Sequence, residues 1–401
     1  MPSRASQLRR WVVRALALGL LVLCIGLLYA LWVAWVPMGK MASGNRLARM
    51  QKNAQYKGDH FVDLMPRVEP NIVRILPKWF ETPVAHRRPT TLPTIHPSSS
   101  LFNQAPNSGL RVTWLGHSTL MVEIEGQRLL IDPVWGEYVS PLPLKNAQRF
   151  APPPLPFEQL PPIDAVLISH DHYDHLDYPT VLRLNERGAS FHVPLGVGSH
   201  LAYWGVPESR IFEYDWWQEH QLSPALRIVC TPARHFSGRS LVDKDHTLWA
   251  GWALLGDRRR VYYSGDTALF PGFSEIGERF GPFDLTMIES GAYNQMWADV
   301  HLGPEQAVIA HQLLRGKLLF PVHWGMFDLG LHGWTEPVER IVIAAQKAGV
   351  PLVTVPPGGS FEIDAPPPIK RWWPSHPFQT VEQSPAFSSG VDDLLRTGSS
   401  R

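Results

Sequence analysis

The longest hydrophobic pattern is an uninterrupted apolar run near the amino end. Residues 15–36 contain 22 positions without a charged side chain, and four arginines precede them. A helix of this length spans about 30 Å, the thickness of a bilayer's hydrocarbon core. A buried core helix and a cleaved signal peptide are the alternatives, but signal peptides have shorter apolar runs of about 7–15 residues and a small-residue cleavage site. The pattern predicts a short basic tail at 1–14 and an uncleaved transmembrane anchor at 15–36.

Beyond this run, short apolar stretches that end in turn residues predict strands, and helical spacing of apolar positions predicts helices. The predicted strands are 110–114, 120–124, 128–131, 163–169, 227–231, 247–254, 260–264, 284–289, 318–322 and 351–354. The predicted helices are 178–186, with Asp177 as its cap, 304–314 and 336–348. Residues 37–107 form a membrane-proximal segment in which 65–77 is expected to be broken structure, and 365–401 form a C-terminal tail.

A dense group of polar residues follows one of the predicted strands. The segment Ser169–Asp177 has the sequence SHDHYDHLD, with three histidines and two aspartates among the six positions 170–175. Imidazole and carboxylate are ligands that zinc prefers, and His170 and His172 leave the strand end on the same side. Asp174 and His175 follow on the turn into the next helix. A solvated polar loop is the alternative, but four ligand-type side chains at this spacing indicate a metal site.

The motif H-x-H-x-D-H resembles the signature of the metallo-β-lactamase-fold hydrolases, a family that binds one or two metals between two β-sheets. The resemblance implies three more ligands, and His235, Asp266 and His323 follow in the expected order, each near the end of an apolar stretch. By the family pattern two zinc ions per chain are expected. One is held by His170, His172 and His235, the other by Asp174, His175 and His323, and Asp266 bridges them.

Four further motifs resemble the N-acyl-phosphatidylethanolamine-hydrolysing phospholipase D group and its bacterial relatives. They are WLGHST at 114–119, IDPVW at 131–135, LPPIDAVLISH at 160–170 and HLGPEQA at 301–307. The similarity covers roughly residues 100–364. It implies an α+β fold, the four-layer αββα metallo-β-lactamase sandwich, for a hydrolase domain at 108–364. Residues 325–334 depart from the family pattern and bring Asp328 and His332 near the site, which affects the expected shape of the substrate entrance.

The implied activity is zinc-dependent hydrolysis of a phosphodiester of phospholipase D type by a hydroxide that the two metals activate. Zinc with an open coordination position lowers the pKa of bound water to about 7. The expected substrate is N-acyl-phosphatidylethanolamine or a similar lipid. Asp174, Asp266 and His301 are the candidate catalytic residues, with His301 protonating the leaving oxygen. Helix capping is the rival role of His301.

For several other polar and aromatic residues, the sequence allows two interpretations each. His117 and Asp132 either orient imidazoles on the metals or serve as a buried histidine and a turn cap. Tyr173 and Tyr293 either touch the scissile group or pack as aromatic side chains. The tryptophan pairs at 216–217 and 372–373 either reach a membrane interface or pack against the domain.

Charge and cysteine content argue against two classes of protein. The net charge of +1 offers no basic surface for nucleic acid, and two cysteines exclude a disulfide framework. The short arginine-bearing tail is expected to stay in the cytoplasm. We therefore expect a single-pass protein of the bacterial inner membrane with a periplasmic catalytic domain, and a membrane and an amphiphilic phosphodiester as its partners.

Two other functions are compatible with the same sequence. A metal-dependent lactonase or carboxylic-ester hydrolase would use the same metals. A non-catalytic envelope protein would retain metal for stability or partner binding, although an idle site is free to lose ligands.

Overall fold

The amino-terminal apolar run forms one long helix, α1 (Arg4–Trp35), which begins earlier than predicted because arginine and leucine extend it. It is exposed from Gln7 to Tyr29 and is long and apolar enough to cross a membrane. The computed structural model describes residues 4–81 and 86–391. Parts of three predicted segments lie outside these ranges, namely residues 1–3 of the basic tail, 82–85 of the membrane-proximal segment and 392–401 of the C-terminal tail.

The membrane-proximal segment contains more regular structure than predicted. Its elements are α2 (Gly44–Met50), β1 (Tyr56–Lys57), β2 (His60–Phe61) and α3 (Ile72–Glu81). The prediction of broken structure over 65–77 is wrong from residue 72 onward. Helix α3 forms despite the internal Pro77, because Ile75 on one face packs against Trp297 and Val300. Tertiary packing outweighs the local penalty of proline here.

From residue 110 onward, strands and helices alternate in two series. In chain order they are β3 (Leu110–Trp114), β4 (Leu120–Ile124), β5 (Gln127–Ile131), β6 (Ala165–Leu167), α4 (Tyr178–Glu186), β7 (Phe191–Pro194), α5 (Gly198–Tyr203), β8 (Ile211–Tyr214), β9 (Glu219–Ser223), β10 (Leu226–Thr231), β11 (Gly251–Gly256), β12 (Arg260–Tyr263), α6 (Gly272–Phe280), β13 (Phe283–Glu289), α7 (Pro304–Leu313), β14 (Gly316–Val322), α8 (Glu336–Ala348) and β15 (Ser360–Glu362).

These strands form two mixed sheets. The seven-stranded sheet has the order β15-β3-β4-β5-β6-β7-β8, and the six-stranded sheet has the order β14-β13-β12-β11-β10-β9. In the first sheet β3, β4 and β5 are antiparallel, whereas β5 to β8 run parallel. In the second sheet β12, β13 and β14 are parallel. Strands β5, β6 and β12 all lead, at their carboxyl ends, into the polar residues predicted for the metal site.

Three apolar layers hold the sheets and helices together. The largest lies between the two sheets and includes Trp114, Trp249 and Trp252, all fully buried. A second layer packs α4 and α5 on the seven-stranded sheet, and a third packs α6, α7 and α8 on the six-stranded sheet. The order helix, sheet, sheet, helix confirms the predicted αββα sandwich.

Two predicted strands differ from the structure. The strand predicted at 247–254 begins only at Gly251, because Leu248 and Ala250 donate their backbone N–H groups to Leu195 and Ser169 outside this sheet. The stretch 351–354 forms only one bridge, between Leu319 and Leu352. The prediction also missed several short elements, namely β7, β8, β9, β15, α5 and α6.

Candidate metal centre

The metal-motif loop begins where β6 ends and finishes at the first turn of α4. Asp177 caps that helix as predicted, since its carboxylate accepts a hydrogen bond from the backbone N–H of Thr180. The cap fixes the end of the loop, and the ladder between β5 and β6 fixes its start. Ligand-type side chains therefore project from a short segment that is held at both ends.

One group of four side chains gathers around His172. Its Nδ1 lies 2.8 Å from His170 Nε2 and 3.3 Å from His235 Nε2. His235 donates from Nδ1 to the backbone oxygen of Val300, 2.8 Å away, which turns its Nε2 toward the other rings. The ligand atoms of this group all lie within 4.8 Å of one another, and its members are His170, His172, His235 and Asp266.

A second group gathers around the Asp174 carboxylate. Asp174 Oδ2 lies 3.0 Å from His117 Nε2, 3.3 Å from His323 Nε2 and 3.4 Å from His175 Nε2. This group has the same compactness as the first, and its members are His117, Asp174, His175 and His323. The sequence allowed His117 to be either an orienting residue or a buried histidine, whereas its imidazole lies as close to Asp174 as those of the predicted ligands do.

Asp266 joins the two groups, as expected for a residue between two metals. Its Oδ2 lies 3.0 Å from His323 Nε2 and 3.2 Å from His175 Nε2. The same oxygen is 3.8 Å from the nearest nitrogens of His170 and His235. The structure thus brings together all seven residues predicted as ligands, namely His170, His172, Asp174, His175, His235, Asp266 and His323.

The chemistry of this set fits divalent cations. Burial lowers the pKa of His170 and of His235 well below the usual range, with neighbouring histidines adding to the effect on His170. Both rings are therefore neutral, the form that ligates a metal. The buried Nε2 of His175 and Oδ1 of Asp266 have no hydrogen-bond partner among the described residues. Converging imidazole nitrogens and carboxylate oxygens are a ligand set that could hold divalent cations.

The carboxylates dominate the electrostatics of the second group. Burial opposes their charge, but His175 and the neighbouring imidazoles hold the pKa values of Asp174 and Asp266 well below the usual range. Burial likewise lowers the pKa of His323, yet Asp266 and Asp174 outweigh it and raise that pKa to about 10. For His117 burial prevails, and its pKa falls to about 3. A negative potential therefore concentrates at Asp174 and Asp266, where positive ions would sit.

Asp132 orients part of the centre from the end of β5. Its carboxylate is fully buried and accepts hydrogen bonds from Ser169 N at 2.7 Å and from Tyr263 OH at 2.5 Å. It also lies 2.7 Å from His175 Nδ1, so the opposite nitrogen of that ring faces Asp266 and Asp174. This contact supports the orienting interpretation of Asp132. Its φ of 40° is a left-handed conformation that aspartate tolerates better than most residues.

His301 has a partner that the sequence did not reveal. Its Nδ1 lies 2.8 Å from Glu289 Oε2 and 3.8 Å from Asp266 Oδ2. Glu289 ends β13, is fully buried and also accepts a hydrogen bond from the backbone N–H of Thr267. A third compact group contains Asp266, Glu289, His301 and His323. The position of a lone glutamate at a strand end carries the only sequence signal for Glu289, and that signal is weak.

The remaining candidate residues lie around the centre or in the core. Tyr173 donates its hydroxyl hydrogen bond to the backbone oxygen of Arg239, and burial raises its pKa to about 12. Tyr293 donates to Glu336 and stacks on His332 with ring centroids 4.6 Å apart. Both tyrosines are therefore engaged in packing and hydrogen bonds.

The segment 325–334 does reach the centre, as predicted. Asp328 pairs with Arg87 at 3.0 Å, and His332 Nε2 accepts a hydrogen bond from Ala292 N at 3.1 Å. Both line a small cavity that His117 and His323 also border.

The two tryptophan pairs pack against the domain. Trp216 is buried and donates its indole N–H to the backbone oxygen of Trp249. Trp373 is likewise buried and donates to Glu339. Their partners Trp217 and Trp372 are half-buried and contact Arg279 and Trp324, respectively. The packing interpretation therefore describes both pairs.

Comparisons with known proteins agree with this fold. A family model described as "Beta-lactamase superfamily domain" matches residues 127–324. An uncharacterized protein of Mycobacterium tuberculosis is 49% identical over 270 residues, covering 66% of this chain and 72% of that protein. The N-acyl-phosphatidylethanolamine-hydrolyzing phospholipase D 1 of Caenorhabditis elegans is 37% identical over 264 residues, covering 63% of this chain and 74% of that protein.

A solved structure supports the fold alone. The isothiocyanate hydrolase from Delia radicum gut bacteria has a TM-score of 0.50 and 17% identity, and the match covers 63% of this chain and 98% of that one. Two mixed sheets with a histidine and aspartate cluster between their strand ends define the class, a metal-dependent hydrolase of metallo-β-lactamase fold. The chain belongs to the beta-lactamase superfamily, and its homologues there include N-acyl-phosphatidylethanolamine-hydrolysing phospholipases D.

Proposed function

We propose that this protein is a membrane-anchored, zinc-dependent phosphodiesterase of phospholipase D type, acting on N-acyl-phosphatidylethanolamine or a similar lipid. The observation that carries the proposal is the convergence of two compact ligand groups on Asp266. The 37% identity to a phospholipase D of this substrate class supports the choice of a phosphodiester. Residues 15–36 would anchor the chain, and residues 108–364 would form the catalytic domain. The arginine-bearing tail favours a periplasmic site at a bacterial inner membrane.

The ligand assignment follows the two groups. His170, His172 and His235 would hold one zinc ion and Asp174, His175 and His323 the other, with Asp266 shared. When bound, the two cations lower the pKa of water and neutralise charge on the phosphate oxygens. Asp132 holds His175 by Nδ1, which keeps Nε2 directed at the metals. His117 supports Asp174 through a contact of 3.0 Å.

Proton delivery to the leaving oxygen is assigned to His301. Hydrolysis breaks the bond between phosphorus and the alcohol oxygen, so that oxygen must gain a proton as it leaves. The Glu289 carboxylate holds His301 at Nδ1, and this fixes the ring with its other nitrogen available. A histidine that is oriented by a carboxylate can serve as a general acid near neutral pH. The products would be a phosphatidic acid and an N-acylethanolamine.

Incubation of the full chain with N-acyl-phosphatidylethanolamine vesicles in ¹⁸O-water tests the proposal. We expect phosphatidic acid that carries the label, because attack occurs at phosphorus, and we expect no product after chelation. His170→Gln should abolish the reaction, whereas His311→Gln should not, since His311 is an equally buried histidine that pairs with Thr286 outside the cluster.

Lactone and carboxylic-ester substrates are run in parallel with the lipid. Turnover of these substrates with intact phosphodiester would contradict the proposal and favour the lactonase or esterase alternative. Metal binding without turnover of any substrate would favour the non-catalytic alternative.

A further inference from the structure

The carboxyl end of α1 is bound tightly to the catalytic domain. Trp204 Nε1 donates to the backbone oxygen of Val36 at 2.8 Å. Arg239 donates to the backbone oxygen of Pro37 from Nε at 3.1 Å and from Nη2 at 2.8 Å. The backbone N–H of Lys40 donates to His200 Nδ1 at 3.0 Å. The chain therefore leaves the helix along a fixed path on the domain surface.

The same residues hold the metal-motif loop. Arg239 is buried and donates from Nη1 to the backbone oxygens of Asp171 and Leu176. These two residues lie on either side of three predicted ligands, His172, Asp174 and His175. His200 Nε2 lies 3.3 Å from the Asp171 carboxylate. Two separate connections thus join the end of α1 to the loop, one through Arg239 and the other through His200.

An exposed apolar loop tip lies next to Arg239 in the chain. Leu241 and Val242 follow Arg239 by two and three residues, and their relative exposures are 103% and 74%. The tip is held as a turn, because Asp243 Oδ1 accepts hydrogen bonds from the backbone N–H groups of Arg239 at 3.0 Å and Ser240 at 2.7 Å. Isolated exposed apolar residues need no explanation, but two neighbours at the tip of an ordered turn expose apolar area that needs a partner.

The position of α1 identifies that partner. The apolar run ends at Val36, so in a bilayer Pro37 would lie in the interfacial region. Arg239 contacts Pro37 directly, and two residues span at most about 7 Å. With α1 across a bilayer, Leu241 would therefore lie near the bilayer surface, within the combined reach of the Arg239 side chain and two residues. Further exposed apolar side chains lie near the helix exit, namely Trp35, Val36 and Met41.

We propose that the loop Ser240–Asp243 inserts Leu241 and Val242 into the lipid interface beside α1. This rests on the proposed function, in which α1 spans the membrane. The loop and the helix then form two points of attachment, and Arg239 transmits their position to the metal-motif loop. The metal centre is held at the surface of the bilayer instead of moving freely on a tether, so a lipid phosphodiester can reach it without leaving the membrane.

A single fluorophore in the full chain tests this inference. Cys230 is buried, so Cys24→Ala leaves no exposed cysteine among the described residues. Leu241→Cys is labelled with nitrobenzoxadiazole, and the chain is reconstituted at low density in phosphatidylethanolamine and phosphatidylglycerol vesicles with spin-labelled lipids as quenchers. Asp257→Cys is the control, because this exposed residue lies in the β11–β12 turn, at the opposite end of β12 from Asp266.

We expect blue-shifted emission at position 241 and quenching by lipid at least several-fold stronger than at position 257. Emission and quenching equal to those of the control would overturn the inference, whether the loop then faces water or awaits a protein partner. The measurement needs no hydrolysis. An inserted label on a chain that leaves phosphodiesters intact would refute the proposed activity while this inference stands.

Discussion

At the residue scale, two buried carboxylates show how single side chains orient the histidines of the metal centre. Asp132 and Glu289 each end a strand, and each accepts hydrogen bonds from backbone N–H groups while facing a histidine ring. A carboxylate in this position sets which nitrogen of the histidine carries the proton. Both residues therefore act on imidazole orientation and only indirectly on substrate.

Glu289→Gln tests this role for His301. The amide keeps the size of the side chain but cannot accept at both positions, so the Nδ1 hydrogen bond of His301 is lost or reversed. We expect kcat to fall by about 10- to 100-fold, typical of residues that orient a ligand or catalytic histidine. The pH profile of kcat should also shift, whereas bound metal should stay near the wild-type amount. An unchanged pH profile, with activity lowered only in proportion to the loss of folded protein, would indicate a purely structural role.

The carboxyl group of Asp63 leads to a second prediction at the residue scale, on how stability depends on pH. Burial raises the pKa of its carboxyl to about 7, although Arg67 and Arg234 counteract that effect. The unfolded chain releases this proton near pH 3.8 and the folded chain only near pH 7, so the wild type loses stability as pH rises through this window. Since one pKa unit is worth roughly 1.4 kcal/mol, the loss reaches on the order of 4 kcal/mol above pH 7.

Asp63→Asn should remove this loss. In urea unfolding of the detergent-solubilised chain, we expect the variant to match the wild type near pH 4 and to exceed it at pH 8. Asp257→Asn, an exposed aspartate, is the control and should behave as the wild type at both pH values. A constant difference between Asp63→Asn and the wild type from pH 4 to pH 8 would refute the raised pKa.

At the scale of elements, the turn after β12 places Asp266. Gly265 in this turn has a φ of +58°, and an added Cβ would approach the backbone oxygen of Ala250 to 2.5 Å and the Cβ of Ser169 to 2.8 Å. Neither contact is the end of a flexible side chain. The close approach of this turn to the metal-motif loop therefore requires glycine.

Gly265→Ala tests whether contact with Ala250 and Ser169 requires glycine in the turn after β12. Gly126→Ala is the matched control. Gly126 also has a positive φ, +75°, but an added Cβ would meet nothing within 4 Å. We expect the control to lose about 1 kcal/mol of stability from backbone strain and Gly265→Ala to lose clearly more, together with metal affinity. Equal losses in urea unfolding would show that the turn can move away from Ala250 and Ser169.

Helices α4, α7 and α8 and the metal motif were predictable because their signals are local. Asp177 with Pro179 defines the start of α4, and H-x-H-x-D-H places four ligand-type residues within six positions. Strand β9 was missed because its sequence Glu219–Ser223 is mostly polar, so its place depends on pairing with β10. Glu289 was missed for a similar reason, since only the fold brings β13 beside His301. The stretch 351–354 looked like a strand by composition, but Pro351 lacks a backbone N–H and only Leu352 is bridged.

At the scale of the whole molecule, the centre lies where both sheets end, and its ligands come from both halves of the domain. His170 to His175 follow the seven-stranded sheet, whereas His235, Asp266 and His323 follow strands of the six-stranded sheet. Cations bound here would link the two sheets. Metal binding to the folded chain alone stabilises it by mass action.

Removal of metal should therefore weaken the fold. We expect dipicolinate to lower the melting temperature of the wild type by several degrees and re-added Zn²⁺ to restore it. The melting temperature of His170→Gln should respond much less, while that of His311→Gln should respond as the wild type does. A melting temperature that chelator leaves unchanged in the wild type would mean that the sheets do not depend on metal.

Metal content tests the central claim, a pair of cations held by seven side chains, most directly. Full-length protein purified without chelator is measured by inductively coupled plasma mass spectrometry beside Asp266→Asn. We predict close to two metal ions per chain, mainly zinc, in the wild type and fewer than one in the variant, because Asp266 is shared by both sites. A wild-type chain with less than one metal ion that still hydrolyses its substrate after chelation would contradict the account.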